Sequence, residues 1–132
     1  MRRGVTAVII EDGRLLAIRR SQQVSAPGAI CFPGGGIEAD ESETDALIRE
    51  LQEELGASIR PLRRLWENVT PWQVHLAWWL AERVPPVDLK PHLPEVAEFF
   101  WFTPDEMAAH PDLLYSNREF FEAATRGEIK LG

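Results

Sequence analysis

The chain has 132 residues, of which 45% are hydrophobic and 27% are charged, and its formal net charge is −7. The length is that of one domain, since domains most often have roughly 100–150 residues. The composition excludes a disordered tail, a collagen-like rod and a disulfide scaffold, and the single cysteine, Cys31, has no partner for an intrachain disulfide. The acidic balance disfavours binding to a nucleic-acid polymer, which requires Lys and Arg at the phosphates.

No apolar run approaches the roughly 18 residues that a membrane helix needs. The chain starts with basic residues, but the acidic residues Glu11 and Asp12 come soon after them, which is unlike a signal peptide. We therefore expect a cytoplasmic protein without membrane contact.

The first third of the chain predicts a β-hairpin followed by a glycine-rich loop. Residues 4–10 are β-branched and apolar and predict a buried strand, and residues 14–20 predict the return strand of the hairpin. After Pro33, the three glycines at 34–36 predict irregular backbone that can approach another group closely.

One clear helix is predicted from about residue 42 to residue 55. Its apolar stripe recurs every fourth position at Leu47, Leu51 and Leu55, with Ile48 beside it. Asp40 or Ser42 can cap its start, and Gly56 stands where a helix commonly ends in the left-handed conformation.

The rest of the chain predicts three further strands and two helices. The strands are expected at 59–69, 73–83 and 95–102, with a proline-rich loop at 84–94. Thr103 followed by Pro104 predicts one helix start, and a capping box from Ser116 to Glu119 predicts another helix that runs to about Arg126. This order of elements predicts one mixed α/β domain over residues 1–132.

Three glutamates of the main helix share one face. With Glu50 at angle zero, Glu53 and Glu54 fall about 60° and 40° to either side. Like charges at this spacing destabilise a helix by roughly 0.2–0.5 kcal/mol per pair, and anions near a helix C-terminus are also unfavourable. Arg49 and Arg60 can offset part of this repulsion, and a hard divalent cation would suit three carboxylates; an ordinary solvated acidic face is the alternative.

The glycines just before this helix favour the cation. Their backbone can reach a metal or a phosphate. A carboxylate cluster with Mg²⁺ beside a glycine-rich loop is the arrangement that phosphoryl chemistry needs, because the metal neutralises phosphate charge and lowers the pKa of a bound water.

The segment 35–57 resembles the signature of a known family. It reads Gly35, five residues, Glu41, seven residues and then Arg49-Glu50-Leu51-Gln52-Glu53-Glu54-Leu55-Gly56-Ala57. This is similar to the Nudix box, G-x5-E-x7-R-E-U-x-E-E-x-G-U, in which U is a bulky aliphatic residue. Ala57 departs from the pattern at a packing position. Phe32-Pro33-Gly34-Gly35 and the region 95–106 also resemble family blocks, and the MutT type is the most similar subgroup.

The resemblance implies a fold, a reaction and a set of site residues. The fold would be the Nudix-type α/β/α sandwich with a mixed β-sheet. The reaction would be the Mg²⁺- or Mn²⁺-dependent hydrolysis of a nucleoside diphosphate linked to another moiety, such as a nucleoside triphosphate, oxidised or unmodified. The resemblance places metal ligands at the Gly35 carbonyl and at Glu50, Glu53, Glu54 and Glu95, and it makes Arg49, Glu50, Glu53 and Glu54 the catalytic residues. Glu50 would be the general base, although other branches of the family place the base in a distant loop. Arg49 would orient the glutamates, and Glu41 would pair with Arg49 as a support.

Two further residues are candidates for substrate binding. Arg20 ends the second strand, where a phosphate or base could lie, although a solvated charge is an equal reading. Asn117 resembles the base-reading asparagine of MutT-type enzymes, since its amide can pair with a purine edge; helix capping is the alternative.

Other functions remain open at this point. The substrate could be another pyrophosphate, such as a nucleotide sugar, a dinucleotide or a cap-like compound. The domain could also bind a nucleotide without hydrolysing it, although the intact carboxylates argue against that. We expect a small-molecule substrate and a monomer or homodimer.

Overall fold

The structure is a computed structural model, and it describes residues 1–85, 88–93 and 95–131. Pro86, Val87 and Pro94 of the predicted 84–94 loop therefore lie outside the described residues. The chain forms seven strands and three helices in these residues: β1 Arg2–Glu11, β2 Arg14–Arg20, β3 Ile30–Cys31, β4 Gly34–Gly36, α1 Glu43–Leu55, β5 Ile59–Val69, β6 Val74–Arg83, β7 Val96–Phe102, α2 Pro104–Ala108 and α3 Tyr115–Thr125.

The strands build one mixed sheet around β1. Its strand order is β3-β2-β1-β6-β5, with β4 paired to β1 and β7 paired to β2. β1 and β6 are parallel, whereas β1 is antiparallel to β2 and to β4, and β5 is antiparallel to β6. The predicted mixed α/β architecture is confirmed.

Helices cover both faces of the sheet. α1 packs through Leu47, Leu51 and Leu55 on the face that carries Val5 and Ala7. The opposite face carries Val8 and Trp78 and packs against α2 and α3. Neighbouring strand residues point to opposite faces, so Trp78 is fully buried in one core while Trp79 packs against the other.

The ends of α1 follow the predicted signals. Ser42 is the N-cap, and its hydroxyl accepts a hydrogen bond from the Asp45 N–H. Gly56 has φ 62° and ends the helix in the left-handed conformation, with its N–H donating to the Gln52 carbonyl. Ile48 was expected to belong to the apolar stripe, but it is 41% exposed.

The prediction of irregular backbone at the three glycines was wrong. Gly34–Gly36 forms β4 and pairs with Gly4, Val5 and Thr6 of β1. Glycine fits there because β1 runs too close for a side chain: a Cβ on Gly34 would lie 2.1 Å from the Val5 carbonyl oxygen.

The predicted capping box at Ser116 and Glu119 is also absent. α3 begins at Tyr115, its N-cap is Leu114, and no side chain caps it. The Leu114 N–H donates to the Ile30 carbonyl. This hydrogen bond fixes the start of α3 before Ser116, the cap that the sequence indicates. Glu119 instead accepts a hydrogen bond from the Asn68 amide at 3.4 Å. At Thr103, by contrast, the predicted cap forms, with Pro104 at the start of α2.

In the described part of the chain, none of the helices has both the length and the apolar character that crossing a membrane requires.

Candidate active site

Three carboxylates meet at one end of α1. Glu50 and Glu54 stand on successive turns of the helix, and Glu95 directly precedes β7. One carboxylate oxygen from each lies within 4.8 Å of the others. They line a cavity of about 260 Å³ together with the three glycines of β4, Arg20, Ile18 and Val24. The cavity wall thus combines carboxylates with the guanidinium of Arg20 and two apolar side chains.

The electrostatics of this cluster are unfavourable without a cation. Glu54 is only 5% exposed. Burial, followed by the charges of Glu50 and Glu95, raises its pKa to about 8, although the Gly34 N–H and Arg20 oppose the shift. The pKa of Glu50 is also raised, chiefly by burial, against the opposing effect of Arg49.

The donors fit a hard divalent cation. Carboxylate oxygens are the ligands that Mg²⁺ and Mn²⁺ accept in proteins. A bound cation would compensate the like charges of Glu50 and Glu54, which are largely buried, and of Glu95, which is exposed. Glu50, Glu54 and Glu95 are therefore suited to hold the divalent metal that the sequence resemblance implies.

The glycine strand lets the backbone approach the cluster. The Gly34 N–H donates to Oε1 of Glu54 at 2.9 Å. A Cβ on Gly35 would lie 2.4 Å from the carboxylate carbon of Glu50, so any side chain there would displace that carboxylate. A Cβ on Gly36 would meet none of the described residues within 4 Å. Gly34 and Gly35 thus have no room for a side chain beside β1 and Glu50, whereas Gly36 has room for one.

Arg49 connects the cluster to the segment before the helix. Its Nε donates to Oε2 of Glu41 at 2.8 Å, and its Nη2 donates to Oε1 of Glu41 and to the Gly36 carbonyl, both at 2.9 Å. Its Nη1 donates to Glu50 at 3.0 Å and to Glu53 at 3.2 Å. The Arg49 hydrogen bond holds the pKa of Glu41 down at about 2. The pairing of Glu41 with Arg49 that the resemblance implied is present.

Glu53 stands apart from the other two helix glutamates. Its side chain is 50% exposed and pairs with Arg49, and it is not one of the three carboxylates that come together among the described residues. The structure therefore joins Glu50 and Glu54 with Glu95, which is distant in sequence.

The two candidate substrate residues occupy different environments. Arg20 lines the cavity and donates to the carbonyl and hydroxyl of Ser25 at 2.6 and 2.9 Å. Asn117 is 4% exposed; its Oδ1 accepts from the Phe32 N–H at 2.8 Å, and its Nδ2 donates to the Ser116 hydroxyl. Asn117 thus joins α3 to the chain just before β4 and is not among the residues that line the cavity.

Two apolar residues of the cavity wall, Ile18 and Val24, were not predicted from the sequence. Ile18 is one of several apolar residues in β2, and Val24 lies in a loop without periodicity. Neither position carries a sequence signal that distinguishes it from an ordinary core or loop residue.

Comparison with known proteins agrees with this geometry. The chain matches the family described as "NUDIX domain" over residues 1–124. It is 33% identical over 114 residues to a CTP pyrophosphohydrolase of Escherichia coli (strain K12), a match that covers 81% of this chain and 79% of the relative. It is 32% identical over 76 residues to an 8-oxo-dGTP diphosphatase of the same organism, covering 55% of this chain and 59% of the relative.

A solved structure of similar shape is that of a MutT protein from Methanosarcina mazei Go1. It superposes with a TM-score of 0.79 at 25% sequence identity, covering 98% of this chain and 96% of that chain. At this coverage the likeness extends over the sheet and the helices on both of its faces. The chain belongs to the Nudix family, in its MutT-like group, whose members are pyrophosphohydrolases that act on the acid anhydrides of nucleoside diphosphate derivatives.

Proposed function

We propose that this protein hydrolyses a nucleoside triphosphate with Mg²⁺ or Mn²⁺, and that an oxidised purine nucleotide such as 8-oxo-dGTP is among its substrates. The observation that carries the proposal is the convergence of Glu50, Glu54 and Glu95 beside the glycine strand. The likeness to an 8-oxo-dGTP diphosphatase supports the choice of purine.

The proposed ligands of the metal are the three clustered carboxylates, with Glu53 and the Gly35 carbonyl as further ligands. When bound, the metal neutralises the charge of the phosphates and makes a bound water more acidic. In the structure, Glu53 is paired with Arg49.

The chain's own groups then serve the hydrolysis. A water attacks one phosphorus of the diphosphate bridge, and the new P–O bond forms as the bridging P–O bond breaks. Glu50 takes the proton of the water, and the displaced phosphate or pyrophosphate leaves with the bridging oxygen. Arg49 holds the Glu50 carboxylate at 3.0 Å and keeps it oriented. Arg20 faces the same cavity and is placed to contact a phosphate of the substrate.

A second candidate substrate is CTP. The relative named CTP pyrophosphohydrolase covers more of this chain than the 8-oxo-dGTP diphosphatase does. A pyrimidine substrate would use the same carboxylates, because the chemistry takes place at the phosphates.

A nucleotide panel tests the proposal. The protein is incubated with Mg²⁺ and 8-oxo-dGTP, dGTP, CTP, dCTP, a nucleotide sugar or a dinucleotide, and the nucleotide products are measured together with any released phosphate and pyrophosphate. We expect triphosphates to be hydrolysed, and Glu95→Gln to lose most of the activity. Glu98→Gln is the matched control, because Glu98 is an exposed acid three residues away that pairs with Arg19. A protein that binds these nucleotides but hydrolyses none of them would instead be a nucleotide-binding Nudix domain.

A further inference from the structure

The segment 88–93, which shortly precedes Glu95 in the chain, lies against the C-terminal end of α1. The N–H of Lys90 donates to the Leu55 carbonyl and the N–H of His92 donates to the Glu54 carbonyl, both at 2.8 Å. The last carbonyls of a helix have no partner within the helix, so these two hydrogen bonds satisfy groups that would otherwise need water. Residues 88–93 are thereby joined to the turn of α1 that carries Glu54.

One leucine of this segment is buried and the other is largely available to solvent. Leu89 is 9% exposed and belongs to the core formed with Leu51 and Leu55 of α1. Leu93, four residues later, is 67% exposed. Because burial of a leucine contributes roughly 1.5–3 kcal/mol, Leu89 is the apolar anchor of the segment.

Backbone hydrogen bonds connect the anchored segment to Glu95. The N–H groups of Glu95 and Val96 both donate to the His92 carbonyl, at 3.2 and 3.1 Å. The Glu95 carbonyl accepts from the Ser21 N–H at 3.0 Å, and Val96 is fully buried. The backbone of Glu95 is therefore held between the end of α1 and the end of β2.

We propose that Leu89 is a positioning residue for the metal centre. By docking residues 88–93 on the C-terminus of α1, it holds the Glu95 carboxylate against those of Glu50 and Glu54, whose mutual repulsion would otherwise separate them. The inference rests on the proposed function, since it assumes that this cluster binds a divalent cation. Leu89 lies in the core and acts only through the backbone of the segment.

Linkage makes the inference testable in two directions. If docking of the segment strengthens cation binding, the cation must strengthen docking by the same factor. In the wild-type protein, Mg²⁺ should therefore slow the exchange of the Lys90 and His92 amide hydrogens with solvent. In a variant with a loosened segment, the affinity for the cation should fall.

The experiment measures Mn²⁺ binding by calorimetry to the purified full chain and to three variants. We expect Leu89→Ala to weaken Mn²⁺ binding about tenfold, within the usual range of coupling between sites, and Leu89→Val to have a smaller effect. Leu93→Ala, at an exposed leucine of the same segment, should bind like the wild type.

A fourth variant separates positioning from general stability. Met107 is fully buried in the core on the other face of the sheet, so Met107→Ala should lower the melting temperature and leave Mn²⁺ affinity unchanged. If Met107→Ala weakens Mn²⁺ binding as much as Leu89→Ala does, the loss reflects stability and the inference is wrong. If the substituted Leu89 chain binds Mn²⁺ like the wild type, positioning by Leu89 is wrong while the proposed metal site stands. A wild-type protein that binds no Mn²⁺ would overturn the proposed function itself.

Discussion

The N–H of Gly34 donates to Oε1 of Glu54 at 2.9 Å, so a glycine of β4 holds a carboxylate of α1. The neighbouring glycine lies close to the other clustered carboxylate of the helix, because a Cβ on Gly35 would meet Glu50. Two adjacent backbone positions thus set the places of two acidic side chains, and substitutions in this strand should separate folding from cation binding.

The three glycines should respond differently to alanine. Gly35→Ala should displace the flexible Glu50 carboxylate and weaken Mn²⁺ binding with little loss of stability. Gly34→Ala should destabilise the fold by about 1–3 kcal/mol, because its Cβ would meet the backbone of β1. Gly36→Ala is the control and should change neither property. Calorimetric titration measures the Mn²⁺ affinity, and thermal melts measure the stability. Equal effects of alanine at all three positions would contradict the different space that the structure shows at each glycine.

Replacing the raised-pKa carboxyl of Glu54 with a neutral amide should stabilise the metal-free protein. In EDTA near pH 7, we expect Glu54→Gln to raise the melting temperature by a few degrees, because glutamine does not have to take up a proton on folding, as Glu54 does, and because it keeps an acceptor for the Gly34 N–H. With Mg²⁺ the advantage should shrink or reverse, because the wild type gains binding energy that the variant lacks. A variant that melts below the wild type in EDTA would count against a repulsive cluster.

The metal-free protein should also become less stable as the pH rises from about 5 to about 8. The pKa of Glu54 is about 8 in the folded chain, against an ordinary value of 4.5 that applies when the chain is unfolded. Between these values the folded state holds a proton that the unfolded state has lost, so the free energy of unfolding falls with increasing pH. Thermal melts in EDTA measure this slope, which Glu54→Gln should reduce. Equal slopes in both proteins would assign the pH dependence to other groups.

Glu53 requires its own test, since the motif predicts a metal ligand and the structure pairs it with Arg49. We expect Glu53→Gln to lower kcat by orders of magnitude while the melting temperature changes little, because no core packing is lost. Asp45→Asn, at an exposed acid of the same helix, is the control and should retain activity. Near wild-type turnover of Glu53→Gln at saturating Mg²⁺ would restrict the metal ligands to the three clustered carboxylates.

Asn117 can be tested for both of its assigned roles. Asn117→Ala leaves the buried Phe32 N–H without its acceptor, which should cost about 1–3 kcal/mol of stability. If Asn117 also reads a purine, the ratio of kcat/KM between 8-oxo-dGTP and dCTP should fall as well. A lower melting temperature with an unchanged ratio would make Asn117 a structural residue and remove a main reason for favouring an oxidised purine.

The local elements follow closely from the sequence. α1 has its apolar residues at helical spacing, a capping serine and a terminal glycine, and these interactions are made within a few residues of the chain. The same is true of the Thr103 cap at the start of α2. The spacing of Arg49, Glu50 and Glu54 on one helix is likewise local, so their place along that helix could be predicted without the fold.

The tertiary structure decided the relationships that join distant segments. Gly34–Gly36 forms a strand only because β1 lies beside it. α3 begins at Tyr115 because the Leu114 N–H donates a hydrogen bond to the Ile30 carbonyl of β3. Glu53 and Glu54 are adjacent in sequence, yet Glu54 is buried in the cluster and Glu53 is half exposed beside Arg49. From the sequence alone, helix periodicity determined which carboxylates of α1 share a face. Which of these carboxylates come together was decided by their burial and by the approach of Glu95. Both of these depend on packing between segments that are distant in the chain.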